Sequence, residues 1–184
     1  MPEAPNEFHP EFSHVLALDD IPPGGLTLQL EADAAARERL AERFGLLSLD
    51  RLVASLKVTR GASGIPIRVR GHLEASVVQE CVISLEPIAS EIKELIEVEY
   101  APAAEDAEEE AFSIDQPDPP EPLEGDTLEL GELVAQHLSI GLDPYPRIAG
   151  AKAPEWAENS PQESENSAAS PFAVLEQLRK NRPS

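Results

Sequence analysis

The chain has 184 residues, enough for one ordinary domain with tails, and its 18 prolines and 10 glycines indicate that part of it lacks regular structure. Its 35 acidic and 14 basic residues leave a formal charge of −21, which excludes nucleic-acid binding over the whole surface. The single cysteine, Cys81, excludes a scaffold of intramolecular disulfides, and the sequence pattern, with no long apolar run, predicts a soluble cytoplasmic protein.

The charges are distributed unevenly along the chain. Residues 37–70 hold eight bases and three acids, whereas 14 acids and no base lie between Glu97 and Glu132. Such an acidic block repels itself and is typical of a solvated loop, so we predict a disordered acidic loop near 101–125. The alternative is an acidic surface that docks a basic partner.

The first predicted elements are two strands and a helix. An apolar run at 12–18 ends in a turn rich in Pro and Gly, and residues 26–31 alternate as in a strand with one buried face. Residues 34–44 are rich in helix formers. Asp33 is a candidate N-cap for this helix, and Gly45 is expected to end it.

A longer alternating region predicts an antiparallel meander. Residues 52–60 have strand character, and the loop at 61–64 predicts a hairpin into a fourth strand. The odd positions from 65 to 85 are apolar or small, with Gly71 and Gln79 interrupting. Because 21 residues exceed one ordinary strand, we expect Gly71 to mark a bend or bulge that keeps one face inward. Even apolar positions over 88–100 predict a fifth strand, and the short connections favour antiparallel pairing.

The C-terminal part combines helical patterns with segments of low apolar content. Residues 128–142 share an apolar face at helical spacing, with Asp126 or Thr127 as the N-cap. Residues 148–170 hold too few apolar residues to order themselves, whereas Pro171 is placed to begin a short helix.

Together these patterns predict an α+β fold. We expect a mainly antiparallel sheet with an N-terminal helix, a helix after the acidic disordered loop and a short C-terminal helix. A single domain is predicted over residues 1–147, followed by a flexible tail over 148–184 with a docking helix near 171–180.

Four basic residues of the predicted hairpin are the candidates for RNA contact: Lys57, Arg60, Arg68 and Arg70. Outward charges of this kind also form an ordinary solvated strand face that blocks edge pairing. The alternative is a phosphate-contacting patch. Aromatic residues are not interleaved with these bases, so contact with the nucleic-acid backbone is favoured over base stacking.

The sequence favours a protein that is not an enzyme and needs no cofactor. It contains no G-x-S-x-G, H-E-x-x-H, P-loop or dinucleotide-binding motif. Cys81 lies on the apolar parity of its predicted strand, where a free thiol packs as a small hydrophobic group. No histidine has a second histidine or a cysteine at metal-like spacing, so no metal site is predicted.

Three motifs follow one another between residues 70 and 175. The first is Arg70-Gly71 with Gln79-Glu80-Cys81-Val82-Ile83-Ser84-Leu85-Glu86-Pro87-Ile88. The second is Asp126 to Glu132, Leu133-Val134-Ala135-Gln136-His137-Leu138 and Leu142-Asp143-Pro144-Tyr145-Pro146-Arg147, and the third is Ser170-Pro171-Phe172-Ala173-Val174-Leu175. Their order and spacing over about 65–178 resemble the YceD family, the large ribosomal RNA subunit accumulation proteins of bacteria and chloroplasts, also known as a domain of unknown function.

The resemblance implies a non-enzymatic role in accumulation or processing of large-subunit (23S) ribosomal RNA, and hence in ribosome assembly. The implied partners are that RNA or a ribosomal protein, with no membrane and no DNA. Competing functions are an acidic adaptor or chaperone for a basic ribosomal protein and an enzyme that processes RNA. The family-motif residues are Gln79, Cys81, Leu85, Glu86, Pro87, Asp143, Pro144, Tyr145, Pro146, Pro171 and Phe172.

The sequence departs from the family pattern at its cysteines. Many members carry C-x-x-C at the central strand and further cysteines near the second motif, whereas here Ser84 takes the second position and no cysteine follows. The thiolate ligands of a structural zinc site are therefore missing, and we expect this chain to bind no metal.

Overall fold

The computed structural model describes residues 10–61, 63, 65–102, 119–123 and 125–152. Within these ranges no helix has the length and apolar content that a membrane crossing requires. The elements in chain order are β1 (Val15–Ala17), a 3₁₀ turn (Leu18–Asp20), β2 (Leu26–Glu31), α1 (Ala34–Phe44), β3 (Ser48–Arg60), β4 (Ile67–Glu80), β5 (Pro87–Ala101), β6 (Glu121–Pro122), β7 (Thr127–Glu129) and α2 (Leu130–Gly141).

The main sheet has five strands in the order β2-β3-β4-β5-β6. The first four are antiparallel neighbours, and β6 runs parallel to the end of β5. A separate antiparallel pair joins β1 to β7. The predicted α+β class with a mainly antiparallel sheet is confirmed, and the β3–β4 and β4–β5 connections are too short for a parallel crossover.

The two faces of the main sheet differ sharply in burial. On the inner face, alternate residues of the three long strands are buried with residues of α1 and α2 in one hydrophobic cluster. Side chains on the other face, called here the outer face, are mostly polar and exposed or half-buried. The fully buried large side chains of the inner face include Leu52, Leu56, Val58, Ile67, Val69, Leu73, Val77 and Ile96.

Helix α1 begins and ends where the sequence predicts. The Asp33 carboxylate accepts a hydrogen bond from the Ala36 N–H at 2.7 Å, which satisfies one of the free N–H groups of the first turn. Gly45 ends the helix in the left-handed conformation at φ 64°, as its lack of a Cβ allows. The helix packs against β3 with Leu40 completely buried.

Three details of the predicted elements are wrong. The register passes through Gly71 without a shift, and the irregularity lies instead in β3 between Leu49 and Arg51. Glycine is required at 71 because a Cβ there would clash with the backbone carbonyl of Ser55 in the neighbouring strand. Strand β4 also ends at Glu80, so the apolar residues at 81, 83 and 85 belong to a turn.

The third error concerns the start of α2. Residues 127–129 form β7, and the Glu129 carboxylate caps the helix by accepting from the Gly131 N–H at 3.2 Å. The predicted caps at Asp126 and Thr127 therefore lie one strand too early. Most of the predicted loop at 101–125 lies outside the described residues, although β6 occupies 121–122 within it. The helix near 171–180 also lies outside them.

Candidate functional site

Three of the four RNA-contact candidates lie together on the outer face. The β3–β4 register places Lys57 directly opposite Arg70, and Arg68 lies two residues before Arg70 on the same face. Arg60 has the opposite strand parity, and its Nη1 donates a hydrogen bond to the Leu18 carbonyl at 3.0 Å. The structure therefore brings Lys57, Arg68 and Arg70 together and directs Arg60 toward the 3₁₀ turn.

Acidic residues of β5 flank the two arginines of β4. Arg68 Nε lies 2.6 Å from Glu99 Oε2, and Arg70 Nη2 lies 2.6 Å from Glu97 Oε1. All four side chains remain substantially exposed, so each pair contributes little to stability. Their main effect is to offset the positive charge of the arginines, because a carboxylate lies within contact distance of each guanidinium.

A shallow cleft of about 240 Å³ runs beside these pairs, lined by Arg68, Arg70, Glu97, Val98, Glu99, Pro119 and Glu121. Its polar lining carries both signs of charge, with two cations and three anions. A phosphate that entered this cleft would have to displace carboxylates from the arginines. The cleft is therefore not a preformed site for a polyanion.

The acidic partners of the basic hairpin are functional neighbours that the sequence prediction missed. Their positions follow from the register of the β4–β5 hairpin, in which Glu80 pairs with Pro87. Extending this pairing without a bulge places Glu97 opposite Arg70 and Glu99 opposite Arg68. The Glu86-Pro87 turn signal was the available clue, but the apparent continuation of β4 to residue 85 concealed it.

The second candidate site is a junction between two of the family motifs. The motif junction consists of the β4–β5 turn at 81–86 and the segment 143–148 after α2. The Gln79 side-chain amide donates to the Asp143 carbonyl at 2.9 Å, and the Val82 N–H donates to the Pro146 carbonyl at 2.9 Å. Residues more than 60 positions apart are thus joined through backbone carbonyls.

The segment after α2 has its own turn within the junction. The Asp143 carboxylate accepts from the Tyr145 N–H at 2.9 Å, a short side-chain-to-backbone bond that favours a turn. Pro146 is buried, whereas Pro144 and Tyr145 are exposed. The arrangement holds Pro146 against the β4–β5 turn and leaves the Tyr145 ring at the surface.

Cys81 lies at the centre of the motif junction and is completely buried. Its N–H donates to the Glu86 carbonyl, and its carbonyl accepts from the Leu85 N–H, both at 2.9 Å. These bonds close the turn around the thiol. Leu85 has a positive φ of 61°, which is unusual for a residue with a side chain, and its side chain points to solvent.

The thiol sulfur accepts hydrogen bonds from the chain that surrounds it. The backbone N–H groups of Ser84 and Ile148 lie 3.4 and 3.5 Å from Cys81 Sγ. A hydrogen bond from the Ser84 side chain, reinforced by these N–H groups, lowers the pKa of the Cys81 thiol to about 7. Ser84, at the second position of the C-x-x-C pattern, therefore acts here as a donor to the remaining cysteine.

The two candidate sites lie at opposite ends of β4. Arg70 and Glu80 are ten residues apart on one regular strand, which separates them by roughly 30 Å. Among the described residues, no group of three or more His, Cys, Asp and Glu side chains is arranged to hold a metal ion. The motif residues Pro171 and Phe172 lie outside the described part of the chain.

Part of the chain matches a known protein family. The model of the family described as large ribosomal RNA subunit accumulation protein YceD matches residues 69–179, which is 111 of the 184 residues. The matched region begins in β4 and includes the whole motif junction. No curated protein and no solved structure matches the chain.

Proposed function

The chain belongs to the YceD family, and on that premise we propose that it is a non-enzymatic factor that supports accumulation or processing of 23S ribosomal RNA and assembly of the large subunit. The family match over 111 residues carries this proposal, because the family description names large-subunit RNA accumulation. The same proposal puts the protein in the cytoplasm, where bacterial ribosomes assemble.

The chemistry of the two sites supports a role in binding rather than in catalysis. Cys81 is enclosed by its own turn, so its sulfur is not accessible to a substrate. The basic residues of the outer face lie on an open strand surface and pair with carboxylates. Neither arrangement presents a nucleophile beside a general base, which is the usual requirement for covalent catalysis.

RNA contact through Lys57, Arg68 and Arg70, the three candidates that the structure brings together, is one mode for this function. Lys57 is exposed and faces solvent beside Arg70. Phosphate groups can replace the carboxylates of Glu97 and Glu99 at the arginines, since exposed ion pairs have small free energies. Such contact releases counterions condensed on the RNA, so its affinity falls as the salt concentration rises.

The second candidate function is that of an acidic adaptor or chaperone for a basic ribosomal protein. The pairing of Arg68 and Arg70 with glutamates favours it, because the outer face then carries no net positive field toward an approaching polyanion. The formal charge of −21 favours a cationic partner in the same way.

The function is tested by deleting the gene and measuring the ratio of 23S to 16S ribosomal RNA. We expect this ratio to fall in the deletion strain and to recover when the full chain is supplied again. An unchanged ratio, with normal large subunits on sucrose gradients, would overturn the proposal. Incubation of the purified protein with precursor 23S RNA and Mg²⁺ tests the non-enzymatic part, for which we expect no cleavage.

A further inference from the structure

One long edge of the main sheet has no strand partner among the described residues. Strand β5 pairs with β4 from Pro87 to Tyr100 without a register shift. On its other side, β5 pairs with β6 only at Tyr100 and Ala101. The opposite edge of the sheet, β2, has only six residues and leads directly into the turn before α1.

The hydrogen bonds at both ends of β5 show which backbone groups point to this edge. The Glu86 carbonyl accepts from Cys81 on the β4 side, and the Ala101 carbonyl accepts from Leu123 on the β6 side. Successive residues of a strand direct their N–H and C=O groups to alternate sides. The odd residues between 89 and 97 therefore direct their backbone groups away from β4, toward the unpaired side.

Natural proteins protect such edges with prolines, bulges, short strands or charged side chains. Between 88 and 99, β5 has neither a proline nor a bulge, so its protection depends on charge. The odd positions of this stretch carry Glu91, Lys93 and Glu97; Lys93 lies 3.7 Å from Glu74, and Glu97 pairs with Arg70 but keeps 70% of its side chain exposed. Mainly acidic protection repels a second copy of this chain, which has a formal charge of −21, but attracts a basic strand.

Apolar contacts are available on both faces beside the edge. Leu95, in the middle of the unpaired stretch, is 81% exposed on the outer face. On the inner face, Gly141 of α2 lies against Ile92 and Glu94, and the preceding Ile140 is 72% exposed. An added strand would find an apolar neighbour on each face, and on the outer face Leu95 is flanked by Lys93 and Glu97.

We propose that the β5 edge, residues 89–97, is a docking site for an extended segment of a partner protein that carries Lys or Arg at alternate positions. The segment adds to the sheet as a strand, with backbone hydrogen bonds to the odd residues and its basic side chains beside Glu91 and Glu97. This proposal specifies the partner surface of the adaptor function and rests on it.

The probe for this site is a synthetic nine-residue peptide of alternating Lys and Val, added to the full-length protein. We expect binding to slow amide hydrogen exchange at the odd residues from Ala89 to Glu97. The control is the same peptide with alternate amide nitrogens methylated, which keeps the charge but removes the donors on one strand edge. We expect the methylated peptide to bind at least tenfold more weakly.

A variant of the protein tests the same edge by removing one of the hydrogen-bond donors of β5. Leu95→Pro removes an N–H that points away from β4, so the sheet pairing is retained while strand addition is blocked at its centre. We expect it to reduce peptide binding at least tenfold, and Leu95→Thr, the matched control that loses the apolar side chain but keeps the N–H, to reduce binding clearly less. If the proline variant does not fold, the strand-addition proposal is still tested by comparing the binding of the two peptides to the unmodified protein.

Equal binding of the methylated and unmethylated peptides would overturn the strand-addition proposal, because charge alone would then explain binding. Unchanged amide exchange between 89 and 97 would overturn it as well. Failure of the proposed function gives a different result: the peptide protects the β5 edge as expected, but loss of the gene leaves the ratio of 23S to 16S RNA unchanged.

Discussion

The two faces of the main sheet are formed by the same strands but have different roles. On β4, Leu73 is fully buried on the inner face, while the adjacent His72 is exposed on the outer face. Inner-face side chains bury apolar surface, which contributes about 1.5 to 3 kcal/mol for each large residue. Outer-face side chains form exposed pairs that contribute little to folding. The inner face therefore determines stability, and the outer face with the β5 edge remains free to evolve contacts with partners.

The largest expected effect is at the centre of the inner face. We expect Leu73→Ala to reduce the free energy of unfolding by about 2 to 5 kcal/mol, because it leaves a cavity in a fully buried cluster. The matched outer-face variant His72→Ala should change it by no more than about 0.5 kcal/mol. Urea denaturation followed by circular dichroism measures both, and similar losses for the two variants would remove the distinction between the faces.

The motif junction should give an intermediate effect with a characteristic pH dependence. Cys81→Ser loses the apolar contacts of a buried thiol, so we expect a lower urea midpoint than in the wild type but a smaller loss than in Leu73→Ala. The folded pKa of Cys81 is lowered to about 7, below the usual thiol value. Between about pH 7 and the unfolded pKa, the unfolded state holds the extra proton, so wild-type stability should rise with pH.

In Cys81→Ser the free energy of unfolding should show no such rise with pH. In the wild type the stabilisation by the thiolate should be lost as the pH falls through 7. Equal slopes for the two proteins between pH 7 and 9 would show that the N–H groups around the sulfur do not favour the thiolate. Metal analysis of the purified wild type should find no stoichiometric zinc, and a bound zinc ion would contradict the packing role of Cys81.

A smaller pH effect is expected on the helical side of the sheet. Burial lowers the pKa of His137 in α2, although nearby Glu94 opposes the shift. The unfolded state therefore binds a proton at a higher pH than the folded state, and stability should decrease as the pH falls below about 6.5. We expect His137→Gln to reduce this decrease in urea denaturation at pH 7.5 and 5.5. An unchanged pH dependence would contradict the burial effect.

The smallest expected effect on stability is on the outer face, where a large effect on binding is possible. Replacing Lys57, Arg68 and Arg70 with Gln removes two exposed ion pairs, each of which contributes about 0 to 1 kcal/mol. If these residues contact RNA, the salt slope of association with large-subunit precursors should decrease by about 0.7 to 0.9 per lost phosphate contact. Arg60→Gln alone is the control, since Arg60 bonds to the Leu18 carbonyl.

Unchanged affinity and salt dependence in the triple variant would remove the RNA-contact hypothesis. The adaptor function would then be favoured, with the β5 edge as its docking surface. A loss of binding confined to Arg60→Gln would instead point to the 3₁₀ turn, which contacts Arg60.

The sequence predicted the two faces well because period-two alternation directly reports which side of a strand is buried. It also located the basic hairpin, although β4 begins at Ile67 rather than at 65, and this two-residue difference sets the pairing of Lys57 with Arg70. Alternation could not show that β4 ends at Glu80, because the buried Cys81 continues the apolar parity into a turn. That error concealed the register that places Glu97 and Glu99 beside the arginines.

The hydrophobic periodicity of the sequence could not predict the motif junction, for a different reason. Its contacts join Gln79 and Val82 to Asp143 and Pro146 through backbone carbonyls, which leave no pattern in the residue types. Only the resemblance to a family indicated that both segments matter. The β5 edge, unpaired over 89–97 among the described residues, likewise depends on which strands are neighbours, and this follows from the topology of the sheet rather than from any one segment.

Site-specific photo-crosslinking in cells tests the central claim most directly. A photoreactive amino acid at position 95, on the exposed outer face beside the β5 edge, is compared with one at the exposed position 35 of α1. We expect position 95 to crosslink to a basic protein of the assembling large subunit or to its RNA, and position 35 to give no such product. Crosslinks from position 95 only to molecules unrelated to the large subunit would contradict the proposed function.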